Sequence, residues 1–316
     1  MENAAAKVIV IYTHNVSRAI RVHELPRPGE TVRSIGYSGG IDGAKGTDVA
    51  IALGRLGIPT AFAANARKGE WIARGHELLK GAGVDDSCVT EYEDPTYTRG
   101  AMFIDDHGNN MIVLSCGRQY IPRELICGAL DRYRGAEYCV TGYELGDEGA
   151  EWVIQEAFER GIKTIVNPSP VPAEIPDCWD KVGILVLNEH EIASLLGDRT
   201  AVENDAAAES ALHELQKRCG CRSIVLTLGE KGYMLLHNGS VISGDGMKVG
   251  GVIDTSGAGD GFLAALTAAL VRGRDLADAC AWANAYSSIT IREEGTISSY
   301  PTLEEAEKVA GRLARA

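Results

Sequence analysis

Short β-branched runs alternate with longer stretches of helical periodicity along most of the chain. KVIVIY (7–12), TAFAA (60–64), EYCVT (137–141), IKTIV (162–166), GILVL (183–187) and RSIVLTL (222–228) read as buried strands. Helical patterns fall between them, near 47–57, 69–83, 148–160, 203–219, 257–272 and 275–292. Strands separated by helices of this length imply βαβ units, hence an α/β fold with a mostly parallel sheet covered by helices on both faces. A last helix is predicted after Pro301, where Thr302 and Glu305 have the spacing of a capping box.

Two regions break the rhythm. AMFI–DDHGNN–MIVL (101–114) sets two extended runs around a turn-rich centre and predicts a β-hairpin. IRVHELPRPGETVRSIGYSGG (20–40) alternates apolar residues around a Pro-Arg-Pro-Gly turn. Together they predict a small antiparallel sheet, with lid strands from about 13–40 and 97–118, standing off the main sheet to cover a ligand cleft. No internal repeat or long linker interrupts residues 1–316, so one domain is expected.

Composition then narrows the chemistry. A formal net charge of −13 argues against nucleic acid and anionic membrane surfaces, because phosphates would be repelled. A phosphate ligand needs only a local nest of N–H groups and stays open. The eight cysteines are scattered, and Cys219-Gly-Cys221 lacks both the spacing and the second pair of a zinc site. They read as reduced thiols. The apolar run in MENAAAKVIVIY is too short for a signal segment, and no stretch is apolar for long enough to span a bilayer. A soluble, cytoplasmic protein is expected.

The densest chemistry lies in DTSGAGDGFLAAL (254–266). Phe262, Leu263, Leu266 and Leu270 share one helix face, which puts Gly257 and Gly259 in a first turn whose N–H groups have no intrahelical partners. Glycine there lets an anion approach the amides, and the helix start carries partial positive charge. Asp260 lies one turn inside. Beside a phosphate it makes sense as the base that takes a proton from an attacking hydroxyl. The same spacing also describes a helix start capped by Asp254 or Ser256, with Asp260 merely favourable to the dipole.

This stretch resembles the second signature of the ribokinase-like (PfkB-type) sugar kinases. The resemblance implies a three-layer α/β/α fold with a small β-sheet lid, and an ATP-dependent kinase acting on a sugar hydroxyl. It makes Gly257, Ala258 and Gly259 the anion hole and Asp260 the catalytic base. It continues through LPRPGETV (25–32) and SGGIDGAKGTDVAIALGRLG (38–57), similar to the lid entry and the first signature. There Asn15, Ser17, Gly43, Lys45, Asp48, Glu144 and Asp260 are the implied substrate contacts. VNPSPVP (166–172) is similar to the family's strand end running into a proline-rich loop. Asn188 and Glu191 match an Asn-x-x-Glu motif that organises Mg²⁺ through water. Asn188, Thr227, Gly229, Gly232 and Asn284 are implied to line the nucleotide. A monovalent cation, K⁺ in particular, is implied beside Asp254, Ser256, Thr290, Glu293, Gly295 and Ser299.

Bland readings stand beside these: a capped helix start with a surface Glu for 188–191, a strand–turn–strand for 227–232, and a solvated Glu144. The chain also departs from the pattern. Asp48 stands where the family has Asn, Ser17 where ribokinase-type members have Asp, and Asp42 is an added residue. An ionised Asp only accepts hydrogen bonds, whereas Asn also donates. The expected substrate is therefore a neutral sugar or polyol, a pentose or ketohexose before ribose itself, with a nucleoside as the alternative. Asp42, Asp48 and Glu144, opposed chiefly by Lys45, are expected to disfavour sugar acids and phosphates; Arg18 and Arg99 are the side chains able to reverse that sign. Open lid edges predict a homodimer. A non-catalytic binding member of the same fold is the competing function. A Rossmann-type oxidoreductase is disfavoured, because IYTHNVS follows the first strand where G-x-G-x-x-G belongs.

Overall fold

A computed structural model describes residues 6–37, 42–93, 101–113, 121–247 and 250–313. The first strands are β1 (Val8–Ile11), β2 (Val16–Ser17), β3 (Ile20–Arg21), β4 (Gly36–Tyr37) and β5 (Asp42–Gly43), followed by α1 (Lys45–Arg55). Next come β6 (Thr60–Arg67), α2 (Glu70–Gly81), β7 (Asp85–Tyr92), β8 (Ala101–Ile104), β9 (Asn110–Val113) and α3 (Arg123–Arg132). The middle of the chain forms β10 (Tyr138–Gly142), α4 (Asp147–Glu159), β11 (Lys163–Asn167), β12 (Ile184–Asn188), α5 (Glu189–Leu196) and α6 (Asp205–Cys219). It ends with β13 (Ser223–Thr227), β14 (Gly232–His237), β15 (Ser240–Asp245), α7 (Ala258–Val271), α8 (Leu276–Thr290), α9 (Thr296–Ser299) and α10 (Leu303–Leu313).

The main sheet has nine strands in the order β15-β14-β13-β12-β11-β10-β1-β6-β7. All neighbours are parallel except β13–β14 and β14–β15. Its central strands read as unbroken apolar runs because both faces are buried. Val8 and Val10 pack with α1, α7 and α8, while Ile9 and Ile11 pack with α3 and α4 on the other face. The capping box at Thr302 and Glu305 forms as expected. The helix α7 is buried along most of its length, as its nearly all-round apolar sequence requires.

The predicted hairpin is present as β8 and β9, and a four-stranded sheet of order β4-β3-β8-β9 stands apart from the main one. Two corrections apply to the lid. The sheet is mixed rather than antiparallel, since β3 pairs with β8 in parallel. The stretch between β3 and β4 carries no strand, and β2 pairs with β5 as a separate two-stranded element. Residues 38–40, 97–100 and 114–118 of the expected lid, with Arg99, lie outside the described residues.

Candidate active site

The order of the main sheet reverses between β1 and β10, the place where open α/β sheets form a crevice at their carboxyl ends. Thr13, His14 and Asn15 leave β1 there, and Gly142 to Glu144 leave β10. Thr13 Oγ1 donates to Glu144 Oε2 across this point, so Glu144 is a half-buried member of the cleft and not a solvated surface acid. The Asn15 loop is held by Ala44 N–H on its carbonyl (3.1 Å) and by its own N–H on Thr47 Oγ1 (3.2 Å). A Cβ at Gly46 would strike the Thr13 carbonyl, and only glycine lets α1 lie this close over the exit of β1. Residues 45–48 are therefore the first turn of α1, which begins two residues before the predicted helix.

That turn aims Lys45 into the cleft, where its Nζ lies 3.3 Å from Asp260 Oδ1. Burial alone would lower the Lys45 pKa, but the carboxylates of Asp260, Glu191 and Glu144 more than offset this and hold it as ammonium. Burial pushes the Asp260 carboxyl above the usual range, and Lys45 pulls it partly back. Glu144 is raised by burial in the same way, opposed by Lys45 and the Thr13 hydroxyl. An acid held above its ordinary pKa and fixed by one ammonium is suited to accept a proton near neutral pH.

Asp260 projects from a helix start that is left open. The N-cap residue of α7 is Gly257, at φ 74°, and no side chain caps the amides that follow. A Cβ at Gly257 would also run into Tyr300 Oη and Thr296. Asp254 and Ser256 do not cap this helix. Asp254 Oδ1 accepts the Ser256 N–H (2.9 Å) and its Oδ2 accepts the Gly295 N–H (3.0 Å), which ties the glycine turn to the loop before α9. The arrangement is a preorganised anion site next to a base.

The first signature is organised by a residue outside it, Thr296. Its hydroxyl accepts the Gly43 N–H (3.0 Å) and donates to Asp48 Oδ1 (3.0 Å). Its N–H reaches Asp42 Oδ1 (3.2 Å), while Asp42 Oδ2 accepts the Ala19 N–H (2.9 Å). Asp42 is thus fully buried between two backbone amides and is a structural tie, contrary to the expectation that it faces the substrate. Lys45 opposes Asp260 more closely than the other acids of the cleft. The Ser17 side chain lies outside what the structure describes, and Arg18 is exposed.

Along the carboxyl edge, Asn188 and Glu191 form a reciprocal capping box. Asn188 Oδ1 accepts the N–H groups of His190 and Glu191 (both 2.9 Å), and Glu191 Oε2 accepts the Asn188 N–H (2.9 Å). The capped helix start of the bland reading is present, but Glu191 is buried rather than a surface acid and adds to the anionic field on Lys45. One inward carboxylate suits a hydrated Mg²⁺ that takes its other ligands from water and phosphate. No group of three or more His, Cys, Asp or Glu forms a protein cage among the described residues. Thr227 ends β13, its hydroxyl on the Leu187 carbonyl (3.4 Å), and Gly229 and Gly232 flank the turn into β14. Asn284 Nδ2 binds the Asp245 carbonyl (2.9 Å), joining α8 to the end of β15.

The residues expected around a monovalent cation are partly brought together. Asp254, Ser256 and Gly295 are joined directly, and the Thr290 carbonyl accepts the Glu293 N–H (3.4 Å). Ser299 turns its hydroxyl to the Thr296 carbonyl (2.8 Å). The buried Asp254 carboxylate is a hard-oxygen donor of the kind such an ion takes, and the loop beside it carries further carbonyl and hydroxyl oxygens on Thr290, Glu293, Gly295 and Ser299.

A model of the pfkB family carbohydrate kinases matches residues 42–303. This chain belongs to that family. Ribokinase of Schizosaccharomyces pombe is 29% identical over 95% of this chain and 96% of its own. Ribokinase of Staphylococcus aureus is 27% identical over 96% and 99%. The solved structure of Arabidopsis thaliana ribokinase complexed with ribose and ATP superimposes with a TM-score of 0.79, 24% identity, and coverage of 97% and 99%. The expected three-layer fold and the class of ATP-dependent sugar kinase are borne out.

Several residues of this kinase that shape the cleft escaped the sequence reading. Thr13, Tyr12 and Asn167 occupy strand ends whose position was legible, so their place at the cleft was within reach. Thr296 and Tyr300 were not: their partners lie far away in sequence or carry no motif. Tyr12 Oη and Asn167 Oδ1 are buried without a hydrogen-bond partner among the described residues.

Proposed function

We propose that this kinase transfers the γ-phosphoryl group of ATP to a hydroxyl of a neutral sugar or related polyol, a pentose or ketohexose. The observation that carries the reading is Asp260, held against Lys45 at the open start of α7 and facing Glu144. In this reading Asp260 takes the proton of the attacking hydroxyl. The amides of Gly257, Ala258 and Gly259 receive the transferring group, and Lys45 holds Asp260 in position and offsets its charge. Asn15, Gly43, Asp48 and Glu144 orient the sugar, with Ser17 beside them.

ATP lies along the carboxyl edge past Asn188, Thr227, Gly229 and Gly232, with Asn284 toward the base. Asn188 and Glu191 hold Mg²⁺ through water, and the ion supplies charge neutralisation for the phosphates. K⁺ is the ion proposed beside Asp254, with oxygens from Ser256, Thr290, Glu293, Gly295 and Ser299. Replacing K⁺ by tetramethylammonium is expected to lower the rate, and an unchanged rate contradicts that site.

The acidic cleft favours an uncharged acceptor. A screen of ATP consumption over pentoses, ketohexoses, polyols and nucleosides tests the class: turnover of a neutral sugar is expected, and preference for a sugar acid or for a nucleoside overturns it. ATP turnover with none of them favours the non-catalytic reading.

The whole chain is proposed to act as one kinase unit in the cytoplasm, working as a homodimer through the lid. Val32, Ile35, Tyr37, Met111, Ile112 and Val113 are all exposed on or beside the lid sheet, Tyr37 by 70%, an apolar face of the kind that a partner covers. A monomer in sedimentation contradicts this.

A further inference from the structure

The cleft holds more acid than base. Asp48 is 1% exposed and Asp42 is fully buried. Asp48 is faced by Asp260 of α7, Asp42 of β5, Glu144 after β10 and the Tyr300 phenol. Lys45 supplies one ammonium to this group, and it is taken by Asp260.

The hydrogen-bond donors are shared just as unequally. Among the described residues Asp42 receives the Ala19 and Thr296 N–H groups, which suit an anion, whereas Asp48 receives one hydroxyl, from Thr296, on Oδ1. Its Oδ2 meets no protein donor among the described residues. Burial, then Asp260, push the Asp48 carboxyl well above its ordinary range, with Asp42 and Glu144 adding and Thr296 opposing. A buried carboxyl with a single donor and acids around it is cheapest as the uncharged acid.

We propose that Asp48 meets the substrate as a neutral carboxylic acid, with Oδ1 anchored on Thr296 and the Oδ2–H donating to a sugar hydroxyl. The assignment rests on the reading of this cleft as a neutral-sugar site. It resolves the departure at this position: a protonated Asp both donates and accepts, as Asn does, so the pocket keeps a donor where a carboxylate would have removed one. The donor disappears when Asp48 ionises, and sugar affinity then weakens by up to about tenfold per pH unit.

The first arm of the test needs no sugar. Selective ¹³C labelling of aspartate carboxyl carbons, with Asp48→Asn identifying the resonance, reads protonation in the whole protein. The Asp48 signal is expected at the protonated position near neutral pH, and an ionised signal there overturns the proposal. The second arm follows KM and kcat against pH for the best neutral sugar in the screen. Asp48→Asn is expected to keep KM within a few-fold and to abolish its rise at alkaline pH, while Asp48→Ala raises KM at every pH. An unchanged KM in Asp48→Ala, or an affinity that falls on acidification, overturns the role. A protonated Asp48 in a protein that phosphorylates no neutral sugar removes the function and leaves the protonation state standing.

Discussion

Two helices begin at the same edge of the same sheet and are built in opposite ways. The start of α5 is sealed: Asn188 covers two of its amides and Glu191 returns the bond. The start of α7 is open, with a left-handed glycine at the N-cap and no capping side chain. Both helix starts carry the same partial positive charge, so the dipole does not distinguish them. What differs is whether side chains already cap the amides: at α7 none does, and the Ala258 N–H makes only a long turn bond to the Thr255 carbonyl (3.4 Å). A sealed start is a structural joint that offers only its inward carboxylate, Glu191, whereas an open one can receive an anion.

The most damaging way to break the open start is Asp260→Asn, which keeps the shape and removes the base. Turnover is expected to fall roughly 10²–10⁴-fold, the usual scale for general-base loss, with nucleotide affinity measured by calorimetry nearly unchanged. Gly257→Ala closes the turn instead. A side chain at φ 74° costs about 1–2 kcal/mol before its contact with Tyr300 is counted. Turnover should drop by about 10²-fold, as for loss of one donor to a developing anion. Wild-type turnover in either variant would refute the assignment of α7.

The start of α1 differs from both in its response to pH. Its Thr47 hydroxyl meets the Nδ1 of buried His14 at 2.9 Å, beside the Asn15 loop. Burial, then His76, lower the His14 pKa to about 4, against the pull of Asp86. Above pH 6.5 His14 is neutral in both folded and unfolded chains. As pH falls from 6.5 to about 4 the unfolded chain takes a proton that the folded one refuses. Stability is therefore lost across that window, by about 3 kcal/mol at full extent. Denaturant unfolding of wild type and His14→Gln should diverge there and run parallel above it.

The smallest effect belongs to the sealed start. Asn188→Ala removes a cap and is expected to cost about 1 kcal/mol of stability, seen as a shift of the urea midpoint. A larger loss of turnover than of stability would show that Asn188 also serves the nucleotide.

How far the sequence carried this account follows from where each signal is stored. β1, β6 and β10 to β13 were legible because strands buried on both faces leave unbroken apolar runs. β7 was missed because DDSCVTEY lies at the sheet edge, half-exposed, and its polar residues hide the period. The β14–β15 hairpin was missed although Asn238 and Gly239 form its turn with positive φ values of 50° and 82°, an Asn-Gly signal that went unread. In the site, Asp260 and Lys45 were legible because each belongs to a short contiguous motif. The Asp42–Thr296–Asp48 network was not, since it joins residues about 250 positions apart. Local spacing also could not show that Asp42 is buried on the Ala19 and Thr296 amides.

The amides at the start of α7, and not those of α5, are expected to receive the terminal phosphate. A crystal structure with a non-hydrolysable ATP analogue and Mg²⁺ measures this directly. The account predicts the γ-phosphate oxygens at about 3 Å from the amides of residues 257–259, with Asp260 beside them. A γ-phosphate seated on α5 or away from both helix starts would contradict it.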